Sequence, residues 1–304
     1  MIKDRNIADD AAIQTQKILG GGGWGAGDIF YVGTAATNAY NWWRARVDRS
    51  KLFTTINAAV AKCTANKGDK IIVLPSHAEN VIAAGTVALS KAGIELIGAG
   101  YGTNRPILTW TATGGTLAIS AANCAVRNIQ CQNAIDGLVS GISVTAAGAE
   151  ITGCDFTSPT ATNDALMWVL TNASADDMLI QNNRFRQSNA GPTECIRLVG
   201  ADRARILDNF IIGSFSTAAI NGITTASLEI LIARNTISNS VTDKLLIDLV
   251  AACTGRIEYN NGDVVSTAAW AAAAICDAAN CQLAQNYVSD AVGETGKLLG
   301  TVSA

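Results

Sequence analysis

One histidine stands in 304 residues, at position 77. That scarcity excludes any site needing two imidazoles. His77 itself, in LPSHAEN beside the start of the repeats, reads as a hydrogen-bonded structural residue. Charge is also thin: only 15% of residues are charged, with a formal net charge of −3. Lys and Arg are scattered, so no basic surface invites nucleic acid. Long apolar runs are missing. The longest, Ala268–Cys276, is nine residues, too short to span a bilayer. The opening MIKDRNIADD lacks the apolar core of a secretory signal, so export by the chain itself is not expected. No two of the eight cysteines form a CxxC pair, which argues against zinc. Most sit in apolar stretches such as NCAVRNIQC and read as reduced, buried, small hydrophobes. The glycine run 20–23 is not followed by Lys-Ser/Thr, so it is no phosphate loop. No metal, cofactor, nucleic acid or membrane is expected.

What the chain does have is a repeat. MLIQNNRF, ARILDNFI and EILIARNTI are one phrase in one frame. Taking its first apolar residue as anchor gives Val126, Ile151, Ile180, Ile206, Ile232, Ile257 and Leu283, spaced 25, 29, 26, 26, 25 and 26. Ile97 and Ile71 extend the series backwards. Five places after each anchor lies a mostly apolar column: Cys131, Phe156, Phe185, Ile211, Ile237, Gly262 and Val288. Three places after it come Ile129 and Cys154, then Asn183, Asn209, Asn235, Asn260 and Asn286.

A period near 26 with short β-branched segments means a solenoid. The Leu-x-Leu frame and helical half of a leucine-rich repeat are absent. The expected fold is all-β: a right-handed, single-stranded parallel β-helix of about nine coils. At roughly 4.8 Å per coil the rod is on the order of 40 Å long. The asparagines then stack as a ladder, because an amide offers donor and acceptor together to a tight turn. Replacing one by Leu should cost about 1–3 kcal/mol. The two 29-residue intervals place extra loop at 100–115 and 157–166, natural sites for contacts.

A solenoid needs caps. In 51–70, Ile56, Ala59, Val60 and Cys63 share one helical face, and Gly68 follows as a stop. That predicts a short helix lidding the first coil, preceded by a strand in GDIFYVG. The expected organisation is an attachment arm and Gly-rich linker over 1–26, strand and capping helix over 27–70, and β-helix over 71–304. An apolar stripe at Ile7, Ala11 or Ala12, Ile13 and Ile18 suits a groove on a partner. Tyr40, Trp42, Trp43 and Arg44, with Arg46, have the composition of a contact centre or of packing on the rod's own flank. The ending AVGETGKLLGTVSA leaves no room for a C-terminal receptor domain.

Polysaccharide cleavage would need two carboxylates about 5–10 Å apart. The columns two and four after the anchor stack no acids. Asp176 and Asp202 do share an offset, four before it, with Asp177 and Arg203 adjacent. They are the candidate catalytic set, against their plainer reading as turn residues.

FYVG, then KGDKIIVLPSHAENV, then KAGIELIGAGYGTNRPIL resembles right-handed β-helix proteins of tailed bacteriophages. In that group the first coil commonly reads GDTILVLPGHAE and is followed by GxGxxRP; here Ser76 replaces the glycine before the histidine. RNIADDAAIQTQKI is similar to attachment phrases of phage fibre and decoration proteins. The resemblance covers 1–110 by phrase and the rest by pattern. It implies a virion component assembled in the host cytoplasm: a homotrimeric head-decoration or fibre protein bound to the major capsid protein or another virion protein. The alternatives are a depolymerase, or an adhesin binding bacterial surface glycan.

Overall fold

The computed structural model describes residues 27–160, 162–187, 191–265, 276–278, 280–290 and 297–298. The arm at 1–26, with Ile7, Ile13 and Ile18, lies outside them. The first strand, β1 (Ile29–Val32), is followed by α1 (Asn38–Arg44), β2 (Leu52–Phe53) and α2 (Ile56–Val60). Among the described residues, everything after α2 is strand and corner, apart from one 3-10 turn at Gly102–Asn104.

The chain is a right-handed parallel β-helix with three strands per coil. Sheet A runs from β2 and β1 through Lys70–Val73, Glu95–Gly98 and Ala125–Arg127 up to Cys281–Ala284. Sheet B runs from Ala78–Val81 to Tyr287–Asp290, where Lys297–Leu298 joins antiparallel. Sheet C runs from Ala84–Leu89 to Cys276–Asp277. Eight coils carry all three strands, and a ninth contributes to sheets A and B.

Sheet A pairs Ile151 with Val126 and Ile180, and Ile206 with Ile180 and Ile232, as the anchors require. One anchor is corrected. Leu96, not Ile97, lies between Ile71 and Val126. Glu95 and Ile97 face outward there while Leu96 and Gly98 face inward. Gly98 takes the inner place because a Cβ on it would stand 2.1 Å from the Asn128 carbonyl oxygen. Inside the rod, stacked anchors and Phe156, Phe185, Trp110 and Trp168 form one continuous core. All eight cysteines are free and buried in it, and burial pushes the Cys63 thiol up to about 12 and Cys154 to about 11.

Two corners of each coil are built alike. Between sheets A and B, Asn128, Gly153, Asn182, Asp208, Arg234, Tyr259 and Gln285 all hold φ between 50° and 63°. Between sheets C and A, Asn123, Gly148, Asp177, Arg203 and Glu229 hold φ between 56° and 69°. Left-handed backbone turns the chain sharply there, which is why Asn, Gly and Asp recur. The corner between B and C has no such column, and its length varies.

Just inside the first of these corners the asparagines stack. Each backbone N–H and each Nδ2 of Asn183, Asn209, Asn235 and Asn260 donates to the Oδ1 of the next asparagine up the rod, at 2.9–3.1 Å. Each Nδ2, that of Asn286 included, also donates at 2.8–3.0 Å to the anchor carbonyl one coil below.

The lower end is closed by β1, β2 and α2. Thr55 caps α2, whose Ile56, Ala59 and Val60 are buried against the first coil, with Cys63 beyond them. His77 is fully buried. Its Nδ1 meets Thr34 Oγ1 at 3.2 Å and its Nε2 meets Glu79 Oε2 at 3.1 Å. The same Glu79 oxygen accepts the Ile56 N–H at 3.0 Å. One imidazole therefore ties the β1 exit, the first coil and the start of α2 together.

Candidate functional site

A cleft of about 480 Å³ opens along the corner between sheets A and B. One wall is a loop found in the second coil alone. After Gly98 the chain leaves sheet A, makes the turn Gly102–Asn104 and returns at Ile107. Asn128, directly above, holds the loop's base: its Nδ2 donates to the carbonyls of Gly98 at 2.7 Å and Gly100 at 3.1 Å. The far side is pinned from below, where the Ser76 N–H donates to the Asn104 carbonyl at 2.9 Å. Gly100 must be glycine, since its φ is 102° and a Cβ would lie 2.5 Å from the Asn104 oxygen.

The fixed loop presents Tyr101, 86% exposed, and Arg105. Facing them are Gln130 from the third coil, Gly153, Cys154 and Asp155 from the fourth, and Asn182 and Arg184 from the fifth. Asp155 is already engaged: Arg186 Nη2 lies 3.1 Å from both its oxygens. Arg184 leans over the Phe210 ring, its guanidinium carbon 5.6 Å from the centroid. The Nε of Arg105 is buried and has no acceptor. The cleft therefore offers two guanidinium groups, one aromatic face and planar amides, with its single carboxylate neutralised.

The candidate catalytic set lies elsewhere, on the corner between sheets C and A. Asp176 Oδ1 accepts the Asp202 N–H at 3.0 Å, and Asp202 Oδ1 accepts the Leu228 N–H at 2.8 Å. The two acids thus form their own short ladder, each tied to the coil above. Arg203 grips Asp177 through Nε at 2.6 Å and Nη2 at 3.0 Å, and stands 3.5 Å from Asp176. That grip holds the Asp177 carboxyl below its usual range.

The aromatic group beside the cap is split. Trp43 stacks on Tyr31 at 4.5 Å, so it packs on the molecule's own flank. Trp42 faces solvent with the Arg46 guanidinium 4.0 Å over its ring. Tyr40 is half-buried; Arg44 is exposed at the end of α1, whose residues include no buried side chain.

A pair of acids that the column search did not reach stacks in sheet C, where Asp248 and Asp277 are register partners. Burial, and then the Asp277 charge, raise the Asp248 carboxyl. A folded-state pKa above the unfolded one gives a contribution that is favourable in acid. It turns unfavourable as pH rises past the unfolded value towards the folded one. Asp248→Asn should therefore stabilise the chain by roughly 0.2–1 kcal/mol at pH 7, the scale of a like-charge cross-strand pair. The difference should vanish near pH 3. Thermal melts of both proteins across that range check it.

Among the described residues no group of three or more His, Cys, Asp or Glu is placed to hold a metal, and no helix is long and apolar enough to cross a membrane. No protein-family model and no curated protein matches the chain. A solved structure with a similar course is an alginate lyase from Paenibacillus sp. str. FPU-7. It is 14% identical, and the match covers 77% of this chain and 95% of that one, with a TM-score of 0.44.

Proposed function

We propose that this chain is a non-enzymatic structural protein of a tailed-phage virion, a β-helical head-decoration or fibre protein. In this reading it is a homotrimer anchored through its N-terminal region to the major capsid protein or another virion protein. The observation that carries the reading is the first-coil phrase. KGDKIIVLPSHAENV, by which the chain resembles phage β-helix proteins, contains the His77 and Glu79 that clasp the cap. The motif thus closes the lower end of the rod.

The reading is also favoured over a depolymerase by the acids at the C–A corner. Asp176 and Asp202 accept backbone N–H groups of the coil above, and Arg203 is engaged by Asp177. A catalytic pair needs carboxylates free to meet a glycosidic oxygen and a water or anomeric carbon.

The test is imaging of purified particles with and without this gene product. Rods on the order of 40 Å long, grouped in threes and missing from the deletion particles, are expected. Absence of the chain from purified particles would overturn the proposal. So would release of oligosaccharide from host capsule by the isolated protein.

A further inference from the structure

We propose that the cleft under the Tyr101 loop binds an acidic oligosaccharide, one bearing carboxylates on its sugar rings. This goes beyond the virion reading and does not depend on where the rod is mounted.

Charge gives the first argument. Arg105 and Arg184 line the cleft, and neither has a carboxylate partner among the described residues. The acid beside them, Asp155, is held by Arg186. Guanidinium forks match carboxylates, two parallel bonds at a time. The Arg105 Nε has no acceptor within the protein, so nothing there competes for the charge of its guanidinium.

Shape gives the second. A volume of about 480 Å³ falls within the range of small-molecule sites, which is roughly 300–1,000 Å³. The lining spans the second to the fifth coil, about 14 Å at strand spacing. That suits a short run of sugars rather than a single ion.

The third is the pairing of an aromatic face with planar polar groups. A pyranose has apolar C–H faces and a rim of hydroxyls. Tyr101 offers the flat apolar surface, and Gln130 and Asn182 offer donor and acceptor side by side. The loop is fixed at its base by the Asn128 side-chain amide and at its far side by the Ser76 backbone N–H, so little ordering is needed on binding.

Calorimetry on the full chain tests this with two uronic-acid tetrasaccharides, one of galacturonate and one containing alternating glucuronate. Their methyl esters and inorganic phosphate serve as controls. At least one acid form should bind, and its ester should bind about tenfold more weakly. Tyr101→Ala and Arg184→Gln should each weaken binding by about tenfold or more. Arg256→Gln, three coils above the cleft, should leave it unchanged. Tyr101 and Arg184 are exposed, so matching melting curves will show that these variants stay folded. The proposal is overturned if neither acid form binds at about 10 mM. It is equally overturned if binding survives both cleft substitutions, or if phosphate binds as tightly as the tetrasaccharide.

Discussion

Replacing Asn209 by Leu is expected to lower the stability of the rod by about 3–5 kcal/mol, several times the effect of a surface change. Asn209 sits mid-ladder, and its side chain makes four hydrogen bonds to three residues. Its Oδ1 accepts from the Asn183 N–H at 3.0 Å and from Asn183 Nδ2 at 3.1 Å. Its Nδ2 donates to the Ile180 carbonyl at 2.9 Å and to Asn235 Oδ1 at 3.0 Å. Leucine fills similar space and supplies none of this. The Asn183 N–H, a backbone donor sealed in the interior, costs about 1–3 kcal/mol when orphaned, and the Asn183 and Asn235 amides each lose a partner as well. The 1–3 kcal/mol expected for a single lost partner is thus an underestimate, because one amide serves two coils. Urea or thermal unfolding reads the loss, and hydrogen exchange at the Asn183 amide reads its location. Asn209→Asp keeps the acceptor and should fall between Leu and wild type at pH 3, where the carboxyl is protonated. A loss under about 1 kcal/mol for Leu would show that the ladder is not what holds the corner.

Trp168→Ala is the second large effect, about 3–5 kcal/mol. Trp168 is fully buried where sheet C begins in the fourth coil. It meets Trp110 edge-on at 5.8 Å and Phe156 at 5.2 Å, and Phe156 stacks on Phe185 at 4.4 Å. Removing it leaves a cavity bounded by the Trp110 ring of the second coil and the Phe156 ring of its own coil, the latter held in place by Phe185. Trp168→Phe should cost much less, about 1 kcal/mol, since the Trp168 Nε1 has no acceptor to lose. Gly141→Ala should also destabilise: its Cβ would lie 2.5 Å from the Trp168 ring. Equal melting points for Trp168→Ala and Trp168→Phe would refute the cavity argument.

Sheet A was legible in the sequence because, from the third coil on, its corner to sheet B keeps one length. From Arg127–Gln130 to Ala284–Tyr287 two residues intervene every time. A constant offset lets columns be read directly, and the asparagine column is the outcome. Leu96 was misjudged because LIG puts an apolar residue on each face, and only the close approach to Asn128 reveals Gly98 as inward. Sheet C was not legible by the same method. Its distance from the anchor varies with the B–C corner, so Asp248 lies 16 places after Ile232 and Asp277 lies 20 after Ile257. A fixed-offset search cannot bring them together. The cleft was missed for a related reason. Tyr101 and Arg105 lie in one loop and the other residues come from three further coils, so no single offset unites them.

That uneven corner has a practical side. Between sheets B and C the connection is four residues long after Gly213 and eleven after Val264, yet the coils above and below keep their register. The rod thus has one tolerant seam running along its length, away from the amide column. A foreign peptide spliced at Thr242, an exposed residue of the same seam, would ride on a rigid spine. Epitopes placed on successive coils would be displayed at strand-to-strand spacing, a density that few scaffolds offer.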